Sequence, residues 1–218
     1  MRLICNITSF RGFMRKFAVS LVALATIAIF VSGCASYKAS ALANLDAEII
    51  SQSPHTGSSD IMAGAKAFNK SDCKKYLDRD VISEGYQPVQ LFIQNGSDKD
   101  YVFSLSRISL PTARAEEVAE KVHTNTAGRA AGYGAAAWLT FGILAVPAIV
   151  DGIKSSNANE ALDNDFSAKT AHDQIVFHHS HFNKILFVPV NEYQPTFTIT
   201  LVEQNSNTSK TLNVTVRG

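Results

Sequence analysis

Two periodicities divide the chain. Period two governs its middle and its end. Val89, Leu91 and Ile93 alternate with Gln90 and Gln94, and Tyr101, Phe103 and Leu105 repeat the pattern after Asn95-Gly96-Ser97-Asp98. A loop of turn formers between two alternating runs predicts a β-hairpin. Phe197, Ile199 and Leu201 alternate with threonines, a polar turn follows at 204–209, and Leu212, Val214 and Val216 resume the alternation. Ile185 to Val190 is apolar without alternation, as in a strand covered on both faces. Ile61–Phe68 predicts a first strand, and Ser71–Asp78 a short helix capped by Asn69 or Ser71. Short strands that each bury one face need another layer, and two sheets packed face to face supply it. The expected class is mainly β with an α insertion: an immunoglobulin-like β-sandwich built from 60–111 and 175–218.

Residues 112–174 carry the helical period and form the insertion between the two halves. Ala113–Thr124 places Val118 and Val122 on one side, with Glu116, Glu117 and Glu120 toward its start, where the helix dipole favours acids. Asn159–Lys169 predicts an amphipathic helix with Leu162 and Phe166 on its apolar side. Between them, Ala130–Val150 gives 21 residues without a charge, bracketed by Arg129 and Asp151. That length is enough to cross ~30 Å of hydrocarbon, yet a single crossing would put the two halves of one β domain on opposite sides of a membrane. Three placements remain: burial in the domain, a face for self-association or a partner, or insertion into or along a membrane. Gly128, Gly132 and Ala136 recur every four residues and would let a second helix approach closely. With Trp138 they are the candidate contact residues.

Composition separates the amino terminus from the rest. Residues 1–33 hold Arg2, Arg11, Arg15 and Lys16 and no acid; the remaining 16 basic and 19 acidic residues leave a net charge of −3. A mildly acidic chain without a basic block is not built for nucleic acid. Arg15 and Lys16 precede Phe17–Val31, an apolar run of 15 residues that ends in Ser32-Gly33-Cys34. Positive end, short apolar core and small residues at a cleavage site are the order of a secretory signal.

Val31-Ser32-Gly33-Cys34 resembles the lipobox of bacterial lipoproteins. The resemblance implies removal of residues 1–33, a diacylglycerol on the Cys34 sulfur and an acyl chain on the new amine. Each buried methylene contributes roughly 0.8 kcal/mol, and two or more chains make a stable anchor. The mature protein would sit in the cell envelope on a membrane, its body periplasmic; Ala35 in place of an aspartate favours the outer membrane. Residues 34–59, small and polar and broken by Ser-Pro-His-Thr-Gly-Ser-Ser at 53–59, predict a lipidated tether. Leu42, Leu45, Ile49 and Ile50 fall at helical spacing within it.

The body is also similar to proteobacterial lipoproteins of unknown function over roughly residues 60–218. The likeness lies in Gly-Tyr-Gln-Pro-Val-Gln-Leu-Phe-Ile-Gln-Asn (85–95), Ala-Gly-Arg-Ala-Ala (127–131), the Asn159–Lys169 stretch and Leu-Phe-Val-Pro (186–189). Those families have Pro-Gly before the closing strand, where this chain has His-His-Ser-His. The resemblance implies no activity.

Candidate chemistry is sparse. His179 and His181 would share a face of an extended chain and form a candidate zinc or copper pair, although no motif places a third ligand. The alternative is a polar turn between strands. Cys73 has no partner once Cys34 is acylated and is expected to be a buried, small apolar residue. Asp78-Arg79-Asp80 reads as a solvated helix end. The chain lacks a phosphate loop, a nucleophile elbow, a His-Glu-x-x-His and paired cysteines. The expectation is therefore a non-catalytic envelope lipoprotein, with no cofactor beyond its covalent lipid, whose insertion binds another copy or an envelope partner. The alternative is a periplasmic small-ligand or metal carrier.

Overall fold

Alternation becomes strand over most of the predicted runs, although Leu105 and Val190 fall in 3-10 turns just beyond their strands. A computed structural model describes residues 36–46, 49, 60–124 and 145–218, and of 145–155 the backbone alone. The chain divides into two units, residues 1–36 with 126–155 and residues 37–125 with 156–218; the second is the body described below. Among the described residues the strands are β1 (Ile61–Ala67), β2 (Tyr86–Asn95), β3 (Tyr101–Phe103), β4 (Gln174–Val176), β5 (Ser180–Pro189), β6 (Thr196–Glu203) and β7 (Ser209–Arg217). The helices are α1 (Lys70–Leu77), α2 (Ala115–Lys121) and α3 (Ala145–Lys169). The chain is mainly β, with α1 between β1 and β2 and with α2 and α3 inserted between β3 and β4.

Hydrogen bonds run through one seven-stranded sheet in the order β4-β3-β6-β7-β1-β2-β5. Two separately bonded sheets were expected; instead the short parallel pairing of β1 with β7, Ala65 opposite Val216 and Lys66 opposite Arg217, carries the ladder from one half to the other. Inward residues of all seven strands, among them Ala65, Leu91, Phe103, Val176, Phe182, Ile199 and Val214, meet in a single core. The sheet therefore curls around its own apolar face. This order does not by itself show an immunoglobulin-like arrangement of strands.

The predicted β2–β3 hairpin is also corrected. β2 lies between β1 and β5, with Ile93 opposite Ala63 on one side and Phe182 on the other. Both of its edges are occupied, so β3 cannot pair with it and instead joins β4 and β6. The turn formers at 96–100 carry the chain across the corner. Gly96 fits closely there: its N–H donates to Asp60 O at 2.7 Å, and a Cβ would stand 3.2 Å from that oxygen, so a side chain would push Asp60 aside by a few tenths of an ångström.

The outer face of β2 and β5 carries a second core. Tyr86, Ile185 and Phe187 pack against Cys73 and Leu77 of α1, Val118 of α2, and Leu162 and Phe166 of α3. Leu186 and Val188 face the inner core, so β5 is covered on both sides, as its continuous apolar run predicts. Asn69 caps α1 by accepting from Asp72 N–H at 2.9 Å, and the Asp72 carboxylate accepts the Asn69 N–H in return, a reciprocal box of the kind whose cap residue contributes about 1 kcal/mol. α2 holds Val118 and Ala119 fully buried. Asn159–Lys169 is not a separate helix but the end of α3, which runs 25 residues from Ala145. No helix among the described residues is long and apolar enough to cross a membrane.

Candidate functional site

Of the stretch 34–59 expected to be a tether, the described residues 37–46 lie along the body. Ile49 is helical, but residues 36–46 before it form no helix, and Leu42 and Leu45 seat this strap on the body. It begins at Tyr37, whose hydroxyl donates to Asp165 Oδ2 at 2.5 Å and whose ring receives the Arg79 guanidinium at 5.4 Å from its centroid. Lys38 N–H donates to Asp78 Oδ2 at 3.0 Å, and Ser40 N–H to Lys75 O at 2.8 Å. Farther along, Gln90 Nε2 on β2 donates to Ala43 O at 2.6 Å, and Asn183 Nδ2 on β5 reaches the same carbonyl at 3.2 Å. Leu45 is buried against Phe92 with Ile49 and Met62.

Lys169 is the centre of this fastening. Its ammonium is almost fully buried and donates to Ser40 O at 2.8 Å, Tyr76 O at 2.7 Å and Asp165 Oδ2 at 2.6 Å. All three of its protons have acceptors, which a buried cation requires. Asp165, one turn earlier on α3, supplies the compensating charge and the acceptor for Tyr37. Burial, and then the hydrogen bond to Asp165, hold the Tyr37 phenol protonated far above its usual range. Asp78 ends α1 in the left-handed region at φ 51°. Desolvation opposes its charge, but bonds from Lys74 and from Lys38 N–H, together with the Arg79 charge, prevail and hold its carboxyl below the usual range. Asp78 and Arg79 therefore clamp the strap, while Asp80 stays exposed and bonds Ser83 and Lys70.

Of the residues singled out from sequence, Cys34, Gly128, Gly132, Ala136 and Trp138 lie outside the described residues, as does most of the apolar segment 130–150. Cys73 is fully buried, and desolvation, reinforced by Asp80 and Asp72, pushes its thiol up to about 11, which suits an unreactive core residue.

His179 and His181 lie in and just after the turn that opens β5. His179 has φ 52°, which breaks the extended alternation expected to align it with His181. Its Nε2 lies 2.9 Å from Asp98 Oδ1, while the His181 ring stacks on Phe92 at 5.5 Å between centroids. Both border an open hollow of about 310 Å³ with Gln94 and Ser180. Among the described residues, no three histidine, cysteine or carboxylate side chains gather as a metal would need. A second hollow of about 400 Å³, between the start of α2 and the end of α3, is bordered by Arg114, Glu116, Thr170 and His172.

The histidine turn belongs to the corner of the sheet. Asn95, fully buried, donates through Nδ2 to Lys99 O at 2.7 Å, Val176 O at 3.1 Å and Phe177 O at 3.0 Å, and its Oδ1 accepts from Ser97. Asp100 accepts from His178 N–H at 2.8 Å and lies 2.9 Å from His178 Nδ1. These bonds tie the β2–β3 crossing to the β4–β5 crossing. Replacing Asn95 with Ala should remove the side-chain donor to the buried Val176 carbonyl and cost about 2 kcal/mol, read as a lower urea midpoint with an unchanged slope.

No family model matches the chain, and no curated protein or solved structure is significantly similar to it.

Proposed function

We propose that this chain is a lipoprotein of the cell envelope, anchored through Cys34, whose body is a non-catalytic interaction module. The observation that carries the reading is Val31-Ser32-Gly33-Cys34 at the end of a short apolar run behind Arg15 and Lys16. In this reading Gly128, Gly132, Ala136 and Trp138 form the face on which the insertion meets a second copy or an envelope partner. The membrane is the outer one, on the strength of Ala35, and the body lies in the periplasm.

The finer architecture we propose is sandwich-like. The half containing β1, β2 and β5 faces the half containing β7, β6, β3 and β4 across the shared core. The same alternation that suggested an immunoglobulin-like domain supports this two-layer shape.

The test is palmitate labelling with membrane fractionation of the parent and of Cys34→Ser. The parent should incorporate label and pellet with membranes, whereas Cys34→Ser should incorporate none. Equal labelling of the two would remove Cys34 from the account.

A further inference from the structure

The strap changes what the anchor does to the body. Cys34 precedes Tyr37 by three residues, and three extended residues reach at most about 10 Å. From Tyr37 onward the chain is not free: the phenol is held by Asp165 and Arg79, the next N–H by Asp78, and the Ser40 carbonyl by the Lys169 ammonium. A cysteine fixed in a bilayer would therefore bring the face around Tyr37 to the membrane surface.

That face is α1 and the start of the strap, where exposed serines stand among exposed lysines, Lys70 paired with Asp80. Lys38, Lys74 and Lys75 are all exposed. Lys74 pairs with Asp78, but Lys38 and Lys75 form no salt bridge among the described residues. Beyond residue 33 the chain is net negative, so a cluster of lysines beside the attachment point runs against the average. A juxtamembrane Lys or Arg contributes about 1 kcal/mol toward an anionic bilayer surface. The corner of the sheet lies at the other end. β2 runs from Tyr86, beside the α1 core, to Asn95 at the corner, roughly 30 Å of strand. The β6–β7 turn is at that far end, since Gln204 N–H donates to Asp100 O at 3.0 Å.

Resting on the lipoprotein reading, we propose that the docked strap, with only a few residues between it and Cys34, keeps the α1 side of the body at the bilayer surface. The Lys38, Lys74 and Lys75 face then lies flat on anionic lipid headgroups, and the corner with the histidine turn points into the aqueous space. The partner of this face is the bilayer surface itself, so whatever else the body binds must do so from the distal side.

The experiment uses the full lipidated protein, reconstituted in vesicles of phosphatidylethanolamine and phosphatidylglycerol that carry a headgroup quencher. A fluorophore is attached in turn through Lys75→Cys and Ser206→Cys, both at exposed positions. Emission at position 75 should be largely quenched and emission at 206 hardly at all, with both proteins floating with the vesicles. Equal, weak quenching at the two sites in floating protein would show a body that stands off on a loose tether. That result overturns the proposal and leaves the lipid anchor intact, as would stronger quenching at 206 than at 75. Protein that neither carries lipid nor floats would overturn the anchor reading, and this proposal with it. If quenching at 75 persists in vesicles of neutral lipid alone, the strap suffices for the orientation and the attraction to anionic headgroups is overturned.

Discussion

Replacing Phe166 with Ala should cost about 3–5 kcal/mol of folding stability, the range for truncating a buried phenylalanine when the void collapses only in part. Phe166 is fully buried on α3 and stacks on Phe187 of β5, 5.5 Å between centroids and 15° between planes. It belongs to the cluster that joins α1, α2 and α3 to the outer face of the sheet, so the loss falls on the contact that attaches the helices to the β body. For a chain of this size the melting temperature should drop by roughly 10 °C. Phe177→Ala is the internal control: that ring is 55% exposed at the corner, and its truncation should stay within about 0.5 kcal/mol. Equal melting temperatures for the parent and Phe166→Ala would mean that α3 does not pack on β5 as described.

Replacing Lys169 with Met should cost about 3 kcal/mol, for a different reason. The methionine fills much of the same volume but donates nothing. The carbonyls of Ser40 and Tyr76 lose their donor, and Asp165 keeps its charge without the cation beside it. Removing one member of a buried, hydrogen-bonded ion pair is more costly than the pair's net worth, because the remaining charge stays partly desolvated. Two consequences should be separable. The urea midpoint should fall, and the amides of Lys38 and Ser40, which the strap's docking protects, should exchange with deuterium much faster than in the parent. A lower midpoint with unchanged exchange at those amides would show that Lys169 supports α3 but not the strap.

Much of the body is legible in its residue pattern, and the reasons are physical. β5 could be read as doubly covered because Ile185, Leu186, Phe187 and Val188 leave no polar face, and they pack alternately into the two cores. The Asn69 cap and the apolar side of the last turns of α3 follow from spacing alone. Pairing was harder to read. Turn chemistry at 95–98 says that the chain bends, not that the next strand will lie beside the last one. β1 and β5 occupy both edges of β2, and that information resides in residues distant in sequence. The continuity of α3 was hidden because its two ends differ in composition, so each looked like a separate element.

The strap was the least legible. Ala-Ser-Ala-Leu-Ala-Asn-Leu is small and polar enough to pass for a linker, and its docking depends on acceptors and donors from Asp78, Gln90, Asp165, Lys169 and Asn183. One signal was present. Asp165 and Lys169 sit four apart on the apolar side of a helix, next to Leu162 and Phe166, where an ion pair is out of place unless something polar packs over it. Asn95 likewise looked like an ordinary turn former, although its amide staples two crossings together.

The central claim is chemical and can be read directly. Mass spectrometry of the amino-terminal peptide of protein isolated from membranes should find Cys34 as the first residue, with a diacylglyceryl thioether on its sulfur and an acyl chain on its amine. A membrane-derived chain that still carries residues 17–33 ahead of an unmodified Cys34 would contradict the account.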